Sequence, residues 1–64
     1  MKISNLVIDK IYLKISNYGK PAQEVKIIEI QDNNVRTEFV GDNFSRGMVL
    51  TFNKIEVERY FREL

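Results

Sequence analysis

Gln23-Glu24-Val25-Lys26-Ile27-Ile28-Glu29-Ile30-Gln31 is the stretch on which the fold turns. Successive strand side chains point to opposite faces, so Val25 and Ile27 share one face while Ile28 and Ile30 fall on the other. Either the strand is buried on both faces, or its phase shifts midway. A chain of 64 residues has too little material to cover both faces. A β-bulge near Ile27-Ile28 resolves the conflict, because one extra residue bends the strand and brings both pairs to the same side. A strand bent in this way passes from one side of a small barrel to the other.

Upstream, Leu6 to Ile15 ends in a period-2 run, with Ile11, Leu13 and Ile15 facing one way and Tyr12 and Lys14 the other. The expectation is that the three aliphatic residues face the core. Ser16-Asn17-Tyr18-Gly19-Lys20-Pro21 is dense in turn formers and ends this strand. Downstream, Asp32-Asn33-Asn34 tolerates left-handed backbone and suits a tight hairpin. Val35, Thr37 and Phe39 then alternate with Arg36 and Glu38 as a third strand, and Gly41-Asp42-Asn43 turns the chain again. A fourth strand is expected from about Met48 to Phe52, with Met48, Leu50 and Phe52 inward.

The period then changes. Asn53-Lys54-Ile55-Glu56 has the spacing of a capping box, in which the Asn53 side chain and Glu56 cover each other's backbone N–H groups. Val57, Tyr60, Phe61 and Leu64 follow at helical spacing, and Glu58 and Arg62 are placed as an i,i+4 pair. A helix this short is marginal alone and has to dock on the strands. The fold class expected is mainly β, one small barrel of four to five antiparallel strands with a short C-terminal helix, as a single domain over residues 1–64. An OB-fold-like sheet or a meander with the same strands is the alternative.

Composition narrows the chemistry. Ten Lys+Arg against nine Asp+Glu leave a net charge of +1, and the chain has no Cys, no His and no Trp. A domain of this size buries only about 60% of the surface its unfolded chain exposes. Disulfides and thiolate zinc sites, the usual supplements, need the missing Cys. The fold therefore stands on packing or on a partner, and a homo-oligomer is one way to supply it. Without His or Cys, the commonest general base and the best side-chain nucleophile are also missing. No enzymatic activity, no metal and no cofactor are expected. The three apolar residues Leu6-Val7-Ile8 make no signal-peptide core and nothing approaches a membrane span, so the expectation is a cytoplasmic protein without membrane contact.

The run Leu6-Val7-Ile8-Asp9-Lys10-Ile11-Tyr12-Leu13 resembles the L-x-V-G-D-x-V-Y-L opening of many SH3-like, KOW-like and Tudor-like domains. Val49-Leu50-Thr51-Phe52 followed by Val57-Glu58-Arg59-Tyr60-Phe61 resembles the tail of small bacterial and phage SH3-like proteins. Ile8 stands where such openings carry Gly, which puts their tight turn in question. The resemblance implies an SH3-like barrel that binds rather than catalyses, in keeping with a phage or mobile-element protein that adapts or blocks a host factor.

Three candidate surfaces follow. Tyr18 lies in the first loop and Asn43, Phe44 and Arg46 in the third, and in an SH3-like barrel these loops share one end. Aromatic faces there can grip a cation, a base or a peptide side chain, and the bland alternative is that Tyr18 and Phe44 close the barrel mouth. Val57, Phe61 and Leu64 would suffice to dock the tail, which leaves Tyr60, or a strand edge such as Arg36–Val40, for a protein partner; the bland alternative is that all four, Tyr60 included, close the core. A basic strip of Lys10, Lys14, Lys20 and Lys26 offers phosphate contacts, chiefly through Lys10, Lys14 and Lys26, to nucleic acid or a nucleotide. The net charge of +1 argues against that use, because proteins built to release counterions carry a clear positive excess. A protein partner is the leading expectation.

Overall fold

The computed structural model describes residues 1–16, 20–42 and 44–64. After a 3₁₀ turn over Ile3–Asn5, the chain forms β1 (Ile11–Lys14), β2 (Gln23–Gln31), β3 (Asn34–Val40), β4 (Val49–Asn53), the helix α1 (Lys54–Tyr60) and β5 (Phe61–Arg62). The protein is mainly β: among the described residues five strands lie antiparallel in one open sheet of order β4-β3-β2-β1-β5. The two edges are β4 and β5, and among the described residues no ladder joins them. The sheet nevertheless curls, so that Phe52 of one edge strand and Phe61 of the other meet edge to face with ring centroids 5.3 Å apart.

The phase shift in β2 is a bulge. Register runs Ile27↔Thr37 and then Glu29↔Arg36, leaving Ile28 unpaired. The shift returns Ile30 to the inner side, where it packs against the core, but Ile28 itself is the extra residue and is left exposed. One aliphatic residue is recovered by the bend rather than the expected pair.

Tyr12, Val25, Ile27, Val35, Phe39, Phe52, Val57 and Phe61 form the core together with Leu6. In β1 this reverses the expected face: Tyr12 is fully buried and its neighbours Ile11 and Leu13 are half-buried on the outer face. The Tyr12 ring is the largest apolar body on the strand, and its hydroxyl need not go unpaired. It accepts a hydrogen bond from the Val7 N–H at 3.0 Å and donates to the Asn5 carbonyl at 3.5 Å. Burial thus gains the ring's area without an orphaned polar group. Thr37, the buried polar residue, likewise donates its hydroxyl to the Leu50 carbonyl at 3.0 Å.

The turn put in question by Ile8 forms one residue later. The Lys10 N–H donates to the Val7 carbonyl at 3.2 Å, and Asp9 takes a φ of 72°. Aspartate tolerates left-handed backbone far better than a β-branched residue, so the chain sets the turn without Gly. Reciprocal bonds then tie the turn to the bulge, Asp9 N–H to the Ile27 carbonyl at 2.8 Å and Ile27 N–H to the Lys10 carbonyl at 3.1 Å.

The capping box is present as read, with Glu56 N–H to Asn53 Oδ1 and Asn53 N–H to Glu56 Oε1 both at 2.9 Å. The helix, however, stops at Tyr60. Phe61 and Arg62 extend to pair with Lys14 and Leu13, which puts Phe61 in the core as a strand residue. Arg62 is therefore not one helical turn from Glu58, and Leu64 is exposed rather than part of a docked helical stripe. Among the described residues no helix is long and apolar enough to cross a membrane.

Candidate interaction surfaces

The first and third loops meet at one end of the sheet. Gln23, where β2 begins, donates from Nε2 to Ser45 Oγ at 3.4 Å. A groove of about 550 Å³ runs between Lys20–Glu24 on one side and Val40–Asp42 on the other. Gly41 sits in this wall with a φ of 87°, a backbone shape that favours glycine. Of the rim residues expected here, Tyr18 and Asn43 lie outside the described residues. Phe44 and Arg46 are exposed on the turn after Asp42, Phe44 fully so, and neither lines the groove.

A second groove, of about 290 Å³, continues past Ser16 and Lys20 to Lys14, Phe52, Glu56 and Tyr60. Tyr60 is half-buried, and its carbonyl accepts the Ile15 N–H at 2.8 Å, which fastens the end of α1 to β1. The Lys14 ammonium lies 5.7 Å from the centroid of Phe52 and 5.8 Å from that of Tyr60, within reach of both ring faces. No acidic side chain pairs with Lys14 among the described residues.

The basic strip is not gathered on one face. Lys10 is taken up by Glu63, at 3.3 Å, and lies over the Tyr12 ring. Lys14 shares the inner face with Tyr12, two residues before it on the same strand. Lys26 faces outward between its cross-strand neighbours Ile11 and Glu38. The outer face carries charges of both signs, with Arg36 and Glu29 3.9 Å apart one row further along. Such exposed pairs contribute little and mark a solvated face.

The edge named from the sequence is not an edge. Arg36–Val40 belongs to β3, which is paired with β2 on one side and β4 on the other. The long free edge is β4. Gly47 and Met48 both bond to Phe39, Gly47 N–H to its carbonyl and Phe39 N–H to the Met48 carbonyl, each at 2.8 Å. This is a two-against-one bulge with Gly47 at a φ of 87°. Because backbone groups alternate along an antiparallel strand, Met48, Leu50 and Phe52 then bond towards β3, while the N–H and C=O of Val49 and Thr51 point away from the sheet.

On that edge only one of the expected inward trio is buried. Phe52 is in the core, but Met48 and Leu50 are 49% and 41% exposed, and Val49 between them is 44% exposed on the other face. An edge strand has a neighbour on one side only, so its inner-face residues lack half the cover that β3 enjoys. No protein-family model, curated protein or solved structure matches this chain.

Proposed function

We propose that this chain is a non-enzymatic protein-binding module built as an SH3-like barrel, and that it engages its partner along the free edge of β4. Three features support the barrel reading. The strand order is a four-strand meander whose fifth strand returns beside the first. A short helix separates the last two strands. The edge phenylalanines Phe52 and Phe61 meet across the interior.

The observation that carries the binding reading is the composition of the edge. Gly47 to Asn53 contains no charged residue and no proline, and three consecutive apolar side chains, Met48, Val49 and Leu50, stand half-exposed along it. Natural sheets blunt their edges with lysine, proline or inward charges, and an uncharged apolar edge with outward N–H and C=O groups is a template for another strand. Phe44, on the preceding turn, is fully exposed as well.

A second reading, binding of a nucleotide or nucleic acid, is favoured by one site only, the Lys14 ammonium between Phe52 and Tyr60 with Lys20 lining the same groove. Here a phosphate would meet Lys14 and a base would stack on Tyr60.

A photo-reactive residue placed at Leu50 of the otherwise intact chain, and at Lys26 as a control on the outer face, tests the edge reading in cells. It expects a discrete protein adduct from Leu50 and none from Lys26. Equal adducts from both positions, or none from either, would reject it. A high ratio of absorbance at 260 to 280 nm in the purified protein, lost on Lys14→Glu, would promote the second reading instead.

A further inference from the structure

We infer that the strand received by the β4 edge is the β4 edge of a second copy, paired antiparallel about a twofold axis through Val49. The inference rests on the edge-binding reading above and names the partner. Whatever covers this edge has to be apolar on both faces, because Met48 and Leu50 project from one face and Val49 from the other. It has to offer outward backbone groups in alternation, and it has to bring no unmatched charge. Among the described strands, β4 itself has these properties. The other edge, β5, offers only Phe61 and Arg62.

Charge then chooses the register. The edge is flanked by Arg46 and Lys54. A twofold on Leu50 sets Val49 opposite Thr51 and carries Arg46 of one copy to the level of Lys54 of the other, which is repulsive. A twofold on Val49 avoids that meeting. It pairs Val49 with Val49 as a hydrogen-bonded pair, through backbone groups that already point outward. Leu50 then lies opposite Met48, twice, in the closer non-hydrogen-bonded arrangement, and each covers the half-exposed flank of the other. Thr51 falls opposite Gly47, where no side chain intrudes: nothing lies within 4 Å of the point a Cβ would occupy. On the outer face the row becomes Lys26–Glu38–Val49 and its twofold mate. The two Glu38 positions are then three strand spacings apart, about 14 Å, beyond the screening length at physiological salt. The net charge of +1 per chain adds little repulsion between copies.

The absence of native cysteine gives a direct test. In a hydrogen-bonded antiparallel pair the Cα atoms stand about 5.5 Å apart, within the span of a disulfide. Val49→Cys is therefore expected to give a disulfide-linked dimer of twice 7.6 kDa under mild oxidation, at least about tenfold faster than Thr51→Cys or Leu50→Cys. The unmodified chain is expected to show the same doubled mass by light scattering at high concentration, and Val49→Lys to return it to one chain with its far-ultraviolet circular dichroism unchanged. A single-chain mass at all concentrations, faster cross-linking at Leu50→Cys or Thr51→Cys, or growth beyond two chains would overturn the twofold. The Leu50 photo-adduct separates this failure from that of the edge reading. An adduct whose mass is not a multiple of 7.6 kDa keeps the edge and removes the second copy, and no adduct removes both.

Discussion

Strands β3 and β4 lie side by side and read almost alike, yet one is buried and the other is not. Each sets its inward residues at a period of two, Val35, Thr37 and Phe39 in β3 and Met48, Leu50 and Phe52 along β4. In β3 all three are buried, whereas β4 buries Phe52 alone. The difference is position. β3 has a strand on both sides and the core beneath it; β4 has its outer side open. Alternation shows which residues share a face, and neighbours decide whether that face is covered. The strand left uncovered is the one to which we assign binding.

The comparison can be broken most severely from the β3 side. Phe39→Ala removes a buried ring in contact range of Phe52, with centroids 6.5 Å apart, and should cost about 3–5 kcal/mol. That is close to the whole stability of a domain this small, so loss of the cooperative unfolding transition is expected. Leu50→Ala, one strand over, should cost less than about 1.5 kcal/mol because half of that side chain already faces water. Equal costs at the two positions would show that β4 is as buried as β3.

Smaller effects sharpen the point that β4 is held by its ends. Gly47→Ala forces a Cβ onto a φ of 87° with empty space around it, so the cost is backbone strain alone, about 1–2 kcal/mol. Asn53→Ala removes the cap at the other end and should cost about 1 kcal/mol, because the Glu56 N–H loses its Oδ1 acceptor while the Glu56 carboxylate keeps the backbone N–H of residue 53. Both are readable from denaturant midpoints. Val49→Lys, in the middle, should stay within about 0.5 kcal/mol of the parent in stability and change only association.

Much of this was legible in the sequence, and the misses share one cause. The conflict of phase between Val25-Ile27 and Ile28-Ile30 located the bulge, and Asn53 to Glu56 located the cap, because both are local patterns. The face of β1 is not legible locally, because three aliphatic residues outnumber one tyrosine while the backbone partners that satisfy the buried Tyr12 hydroxyl sit several residues upstream. Phe61 kept its place in the core but as a strand residue, since the pull comes from Lys14 and Leu13 across the sheet. The alternation of apolar residues does not separate the edge strand β4 from the central strand β3. The lack of charge from Gly47 to Asn53 was the available signal. For the basic residues, spacing along the chain did not reveal that Lys10 is claimed by Glu63 and that Lys14 and Lys26 face opposite sides.

Amide hydrogen exchange along β4, followed by nuclear magnetic resonance over a range of protein concentration, tests the central claim most directly. Leu50 and Phe52 should be protected at every concentration, because their N–H groups bond to β3 within the chain. Val49 and Thr51 should exchange freely when dilute and slow by about tenfold or more as concentration rises and the edge is covered. If Val49 and Thr51 exchange at the same rate at every concentration, whether fast or slow, the β4 edge does not receive a second copy.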